Sequence, residues 1–194
     1  MKKGDRPATR SLLSLPTGSG KTRVAVQGIT EWITEPQKKN CLVIWVAQTD
    51  ELCEQAVLSW NEVWSSRRSR DSLRISRLWS NHESEQHAGR HVIVATIDKL
   101  SSILKRRNNS YDWMKEPDCL IIDEAHRSTS REYGSLLDWM GLGRNRTNKK
   151  TFFIGLTATP FKGNSEILTE RLVNLFDANR LDSRVFKDND PYKE

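Results

Sequence analysis

Short apolar runs of strand length recur along this chain at residues 11–15, 42–46, 91–95, 119–122 and 152–156, and helical patterns lie between them. A further run, residues 73–79, alternates apolar with polar and reads as a weaker strand. The segment 21–32 carries Val24, Ile29 and Trp32 on repeating helical spacings, and 51–64 carries Leu52, Ala56, Trp60, Val63 and Trp64. Segments 97–104, 131–140 and 166–176 complete the set of expected helices. Strands that alternate with helices line up parallel, because each crossover returns the chain to the same edge of the sheet. Near-continuous apolar strands need cover on both faces. The expected fold is therefore α/β, a doubly wound and mostly parallel sheet. Its 194 residues suffice for one domain over 1–194, with the core at about 11–176. Polar loops at 65–71, 105–110 and 141–150 are short enough to be connections.

In such a sheet ligands bind beyond the carboxyl ends of the strands. Two polar strings stand at that edge with recognisable chemistry. LPTGSGKT, residues 15–22, follows the first apolar run and opens a helix. A strand that ends in a glycine-rich turn leaves backbone N–H groups and a positive helix dipole aimed at one spot, which suits phosphate. Pro16, Thr17, Gly18, Ser19, Gly20, Lys21 and Thr22 form the expected cradle. Gly18 and Gly20 let the backbone curl, Lys21 brings an ammonium to the terminal phosphates, and the Thr22 hydroxyl serves Mg²⁺. DEAH, residues 123–126, follows the run 119–122. Mg²⁺ takes oxygen ligands and keeps several waters, so Asp123 is expected to act on the metal through one of them. Glu124 is expected to orient and deprotonate the water that attacks the terminal phosphorus, as catalytic base. Together these strings point to a protein that binds and hydrolyses a nucleoside triphosphate with Mg²⁺.

Three more polar segments share that edge: AQTDEL at 47–52, ATIDKL at 95–100 and TATP at 157–160. Helix N-termini behind Thr49 and Thr96 offer N–H groups and hydroxyls for nucleic-acid phosphates, contacts that position a strand without reading its sequence. The net charge of +6 makes a polyanionic partner plausible. The basic clusters Arg67, Arg68 and Arg70; Lys105, Arg106 and Arg107; and Arg144, Arg146, Lys149 and Lys150 precede strands instead. That places them near the opposite edge, as a solvated rim or an auxiliary surface. Seven tryptophans fall mostly on apolar faces and read as core, with base stacking the lesser alternative. The three cysteines imply no disulfide framework, and the four histidines have no zinc-site spacing. No stretch reaches the length of a membrane span, and the reducing cytoplasm is the expected compartment.

On these motifs the chain resembles the first RecA-like lobe of superfamily 2 helicases and translocases, in the style of DEAD/DEAH-box motors related to restriction-enzyme subunits. LPTGSGKT resembles motif I, WVAQTDELCEQ (45–55) motif Ia, IVATIDKL (93–100) motif Ib, LIIDEAH motif II and GLTATP (155–160) motif III. The resemblance implies a RecA-like P-loop fold, ATP and Mg²⁺ as ligands, and DNA or RNA as the track, with DNA favoured. It implies that His126 with Thr157 and Thr159 links nucleotide state to movement. Asp50 stands where many relatives carry an arginine, and the run preceding the first strand leaves no room for an upstream adenine-recognition motif. Motifs IV to VI are not found, so the resemblance implies a second lobe, in cis or in trans, that supplies the arginine fingers; alone the lobe is expected to be a feeble ATPase. A nucleotide- or nucleic-acid-binding module without turnover, and a P-loop ATPase of another kind, are the alternatives.

Overall fold

In the computed structural model, residues 10–16, 18–67, 71–106, 109–143, 145–158, 166–177 and 180–181 are described. Seven strands, β1 (Arg10–Ser14), β2 (Cys41–Ala47), β3 (Leu73–Leu78), β4 (Arg90–Thr96), β5 (Cys119–Ile122), β6 (Phe152–Thr157) and β7 (Arg180–Leu181), form one sheet in the order β3-β4-β2-β5-β6-β1-β7. Every pairing between neighbours is parallel. Five helices cross between them: α1 (Lys21–Ile33), α2 (Asp50–Ser65), α3 (Ile97–Lys105), α4 (Arg131–Trp139) and α5 (Glu166–Leu175). The expected doubly wound sheet is the one observed.

Side chains on a strand alternate between faces, and β2 divides its apolar residues accordingly. Val43, Trp45 and Ala47 enter one core with Val26 and Ile29 of α1 and with Ala56, Val57 and Trp60 of α2. Ile44 and Val46 enter the other, with Leu100 of α3, Leu136 of α4 and Leu172 of α5. Helices thus cover both faces, which is why the central strands read as unbroken apolar runs. The edge strand β3 is only half-buried along most of its length and keeps the alternating pattern. All seven tryptophans sit in or against these two cores. Cys41, Cys53 and Cys119 are buried free thiols.

The strands run a residue beyond their apolar runs, to Ala47, Thr96 and Thr157, because ladder pairing rather than hydropathy sets their ends. Two elements have no apolar signature. Strand β7 is a two-residue strand added outside β1. A 3₁₀ turn at Asn109–Met114 takes up part of the expected polar loop; Trp113 stacks on His91 with ring centroids 6.0 Å apart, and that contact is tertiary.

Candidate functional site

The order β5-β6-β1 decides the geometry of the site. LPTGSGKT leaves β1, DEAH leaves β5, and the end of β6 lies between them; at about 4.8 Å per strand the two loops start roughly 10 Å apart. The first is tied down where Leu15 N–H donates to Thr157 O at 3.2 Å, the second where Asp123 N–H donates to Val46 O at 2.9 Å. Side chains then close the gap. Lys21 Nζ lies 3.9 Å from Glu124 Oε1, His126 Nδ1 lies 3.2 Å from Glu124 Oε2, and the same nitrogen lies 3.4 Å from Thr157 Oγ1.

The cradle has the shape that phosphate binding requires. Gly18 (φ +77°) and Gly20 (φ +80°) occupy the left-handed region that residues with a Cβ rarely adopt. Nothing lies within 4 Å of where their Cβ atoms would stand, so the loop is open to a ligand above them. Ser19 folds back on the loop, its N–H and hydroxyl both donating to Pro16 O at 3.2 and 2.6 Å. Gly20 caps α1 with no side-chain hydrogen bond, and the first turn of α1 holds no acidic residue. The leading N–H groups of a helix have no intrahelical acceptor, and at the start of α1 these belong to Lys21, Thr22 and Arg23. Thr17 lies outside the described residues.

Glu124 itself adopts a left-handed backbone, φ 50° and ψ 52°, which costs a non-glycine residue about 1–2 kcal/mol. That turn brings its carboxylate back toward Lys21. Asp123 is 7% exposed, and its carboxyl pKa is raised, chiefly by burial and further by the neighbouring Glu124 charge. The Glu124 N–H, which donates to Asp123 Oδ1 at 3.0 Å, and the Lys21 charge pull the other way. A buried carboxylate left short of positive charge, close enough to Lys21 of the phosphate loop to feel its charge, fits a hydrated divalent cation.

Thr49 and Thr96 cap α2 and α3, accepting from the N–H groups of Leu52 and Lys99 at 3.3 Å each. Each hydroxyl keeps its own proton for an outside acceptor. Thr96 also lines a cleft of about 360 Å³ with Gln48, Asp50, Ser80, Lys99 and Arg106. Sequence reasoning missed Ser80 and Lys99 there; a lysine in the first turn of a helix that follows a strand was the available signal. Arg106 corrects the expectation that its cluster keeps to the opposite edge, because its side chain reaches back along the short α3 into this cleft. Asp50 accepts from the Ser80 hydroxyl at 2.5 Å, and Lys99 Nζ donates to Ser80 O at 2.9 Å. Thr159 and Pro160 of the TATP string, and Arg68, Arg70, Arg107 and Arg144, lie outside the described residues.

The parallel sheet, the glycine-rich loop at the tip of β1 and the acidic pair at the tip of β5 define a RecA-like P-loop domain. Comparison with known proteins agrees. Residues 1–162 match the ResIII family model, "Type III restriction enzyme, res subunit", and the chain belongs to that family. It is 29% identical over 166 residues to the ATP-dependent DNA helicase Hel308 of Pyrococcus abyssi, covering 83% of this chain and 21% of that protein. It is 27% identical over 176 residues to the ATP-dependent DNA helicase MPH1 of Saccharomyces cerevisiae, covering 90% of this chain and 16% of that one. The chain thus spans about a fifth or less of the length of these curated relatives. Among solved structures, the Pyrococcus furiosus Hef helicase domain superposes with a TM-score of 0.61 at 25% identity, over 87% of this chain and 34% of that one. The restriction-modification enzyme LlaGI, at 16% identity and TM-score 0.61, shares the fold. Among the described residues no helix is long and apolar enough to cross a membrane.

Proposed function

We propose that this chain is the first RecA-like lobe, a single domain over residues 1–194, of an ATP-dependent helicase or translocase that moves on or unwinds nucleic acid. The observation that carries the reading is the chain of contacts Lys21 to Glu124 to His126 to Thr157 at one sheet edge, each within 3.9 Å of the next. Pro16, Thr17, Gly18, Ser19, Gly20, Lys21 and Thr22 hold the triphosphate, mainly through backbone N–H groups and the Lys21 ammonium. Thr22 and Asp123 would hold Mg²⁺, Asp123 through a water. When bound, that ion draws charge from the terminal phosphates. Glu124 receives the proton of the attacking water at its carboxylate, and the His126 ring beside Oε2 steadies the side chain for that task.

His126, with Thr157 and Thr159, is the proposed link from nucleotide state to movement. Thr49 and Thr96 are the proposed sequence-independent contacts to the phosphate backbone, with Lys99 and Arg106 adding charge in the cleft that Thr96 lines. DNA is the favoured track, since Hel308 and MPH1 are named as DNA helicases. The three free thiols support a reducing, cytoplasmic setting. A second RecA-like lobe, in cis or in trans, completes the motor, because opening and closing around ATP needs two bodies. The test is ATP turnover measured with single-stranded DNA and with RNA, in the presence and absence of a second lobe. Turnover that rises with nucleic acid only when the second lobe is present supports the motor. Nucleotide binding with no turnover in any combination identifies a binding module instead.

A further inference from the structure

A separate concavity runs between α4 and α5 and holds about 660 Å³. None of Lys21, Glu124, His126 or Thr157 is among its described lining residues. Four arginines, Arg10, Arg131, Arg146 and Arg171, face it against one acid, Asp138. Two of them are already set in place. Arg10, 8% exposed, donates to Leu175 O at 3.2 Å and stands 4.0 Å from the Asp177 carboxylate. Arg146 pairs with the same carboxylate and donates to Asn174 O at 2.7 Å. One carboxylate of the chain therefore sits between two of the four guanidinium groups. Arg131 and Arg171, both exposed at the rim, have no carboxylate within ion-pair distance among the described residues.

Gly134 adds an independent observation. It lies inside α4, where glycine costs about 1 kcal/mol relative to alanine, and nothing stands within 4 Å of the place its Cβ would occupy. No internal contact requires a glycine there. It lines the groove, so its bare backbone keeps the wall low over the apolar floor made by Leu137 and Leu175.

We propose that this groove is a docking site for a short acidic segment of a partner polypeptide. Carboxylates of the segment pair with Arg131 and Arg171, whose planar forks match carboxylate oxygens, and its backbone passes over Gly134. The volume falls within the range of specific ligand sites. The apolar floor residues favour a peptide with apolar side chains between its carboxylates over the uniform charge of a nucleic-acid backbone.

The test is fluorescence anisotropy on the full chain with a labelled twelve-residue peptide of alternating Glu and Leu, its Gln and Leu counterpart, and a twelve-nucleotide oligothymidylate. The Glu peptide should bind and the Gln peptide should not. The double variant Arg131→Gln with Arg171→Gln, and separately Gly134→Leu, should each weaken Glu-peptide binding about tenfold or more while leaving ATP binding unchanged. Lys38→Gln with Lys39→Gln, away from the groove, should leave peptide binding unchanged. Gly134→Leu should not lower the melting temperature, because its Cβ meets no atom within 4 Å and leucine is a better helix former than glycine. Equal peptide affinity across all variants, no Glu-peptide binding by the parent chain, or loss of oligothymidylate in place of peptide binding would each overturn the proposal.

Discussion

The Lys21 ammonium lies 3.9 Å from Oε1 of Glu124, although the two residues leave the sheet from strands that are separated by β6. The proposed phosphate-binding cation and the acidic loop therefore lie together at one edge of the sheet. Lys21→Ala should reduce affinity for a fluorescent ATP analogue by about ten- to a hundredfold, the worth of a charge-assisted contact. The fold should persist, since the variant leaves Glu124 paired with His126.

Thr49 presents a cap that can be kept while its charge is changed. Aspartate caps a helix as well as threonine does, so Thr49→Asp should leave thermal stability within about 0.5 kcal/mol of the parent. It should nonetheless weaken binding to single-stranded DNA, because a carboxylate then faces the phosphates. Affinity measured across a salt series checks this: the parent should weaken steeply with salt, and unchanged DNA affinity in the variant would remove Thr49 from the interface.

Burial holds the His91 ring neutral. It is 2% exposed, its Nε2 meets the Ser76 hydroxyl at 2.8 Å, and its pKa is depressed to about 4, first by burial and then by Arg74 and His87. An unfolded histidine takes up its proton near pH 6.5, so between pH 6.5 and about 4 the unfolded chain binds more protons and stability falls as pH drops. The expected loss is on the order of 1–2 kcal/mol, allowing for solvent screening of the two neighbouring charges. Urea unfolding at pH 7 and pH 4.5 should show that loss in the parent, and a smaller one in His91→Phe.

At Gly155 three buried neighbours leave no room for a side chain. A Cβ there would stand 2.5 Å from Phe176 Cζ, 2.7 Å from Ala125 Cβ and 2.9 Å from Leu12 Cδ1. All three neighbours are buried, so Gly155→Ala should cost about 1–3 kcal/mol. Differential scanning calorimetry should register a drop of roughly 2–4 °C per kcal/mol. Because Ala125 carries the turn that holds His126, nucleotide affinity should fall as well.

The sheet and the cradle were legible because both are local. A buried parallel strand announces itself as an apolar run, as 119–122 does, and the glycines of LPTGSGKT stand beside the lysine they serve. What stayed hidden depends on strand order. Ser80, Thr96 and Arg106 share a cleft because β3, β4 and β2 are neighbours, and nothing in the spacing of these residues says so. The Arg146 pair with Asp177 joins positions 31 residues apart. Strand β7 is too short to carry a pattern and exists by pairing with β1 alone.

Glu124→Gln tests the central claim most directly, because it removes the proposed base while keeping size and most of the loop's contacts. ATP binding by titration and phosphate release by a coupled assay should be measured on parent and variant, with nucleic acid and a second lobe supplied. The account predicts binding within about threefold of the parent and turnover reduced by about a hundredfold or more. Turnover at the parent rate in the variant would contradict it.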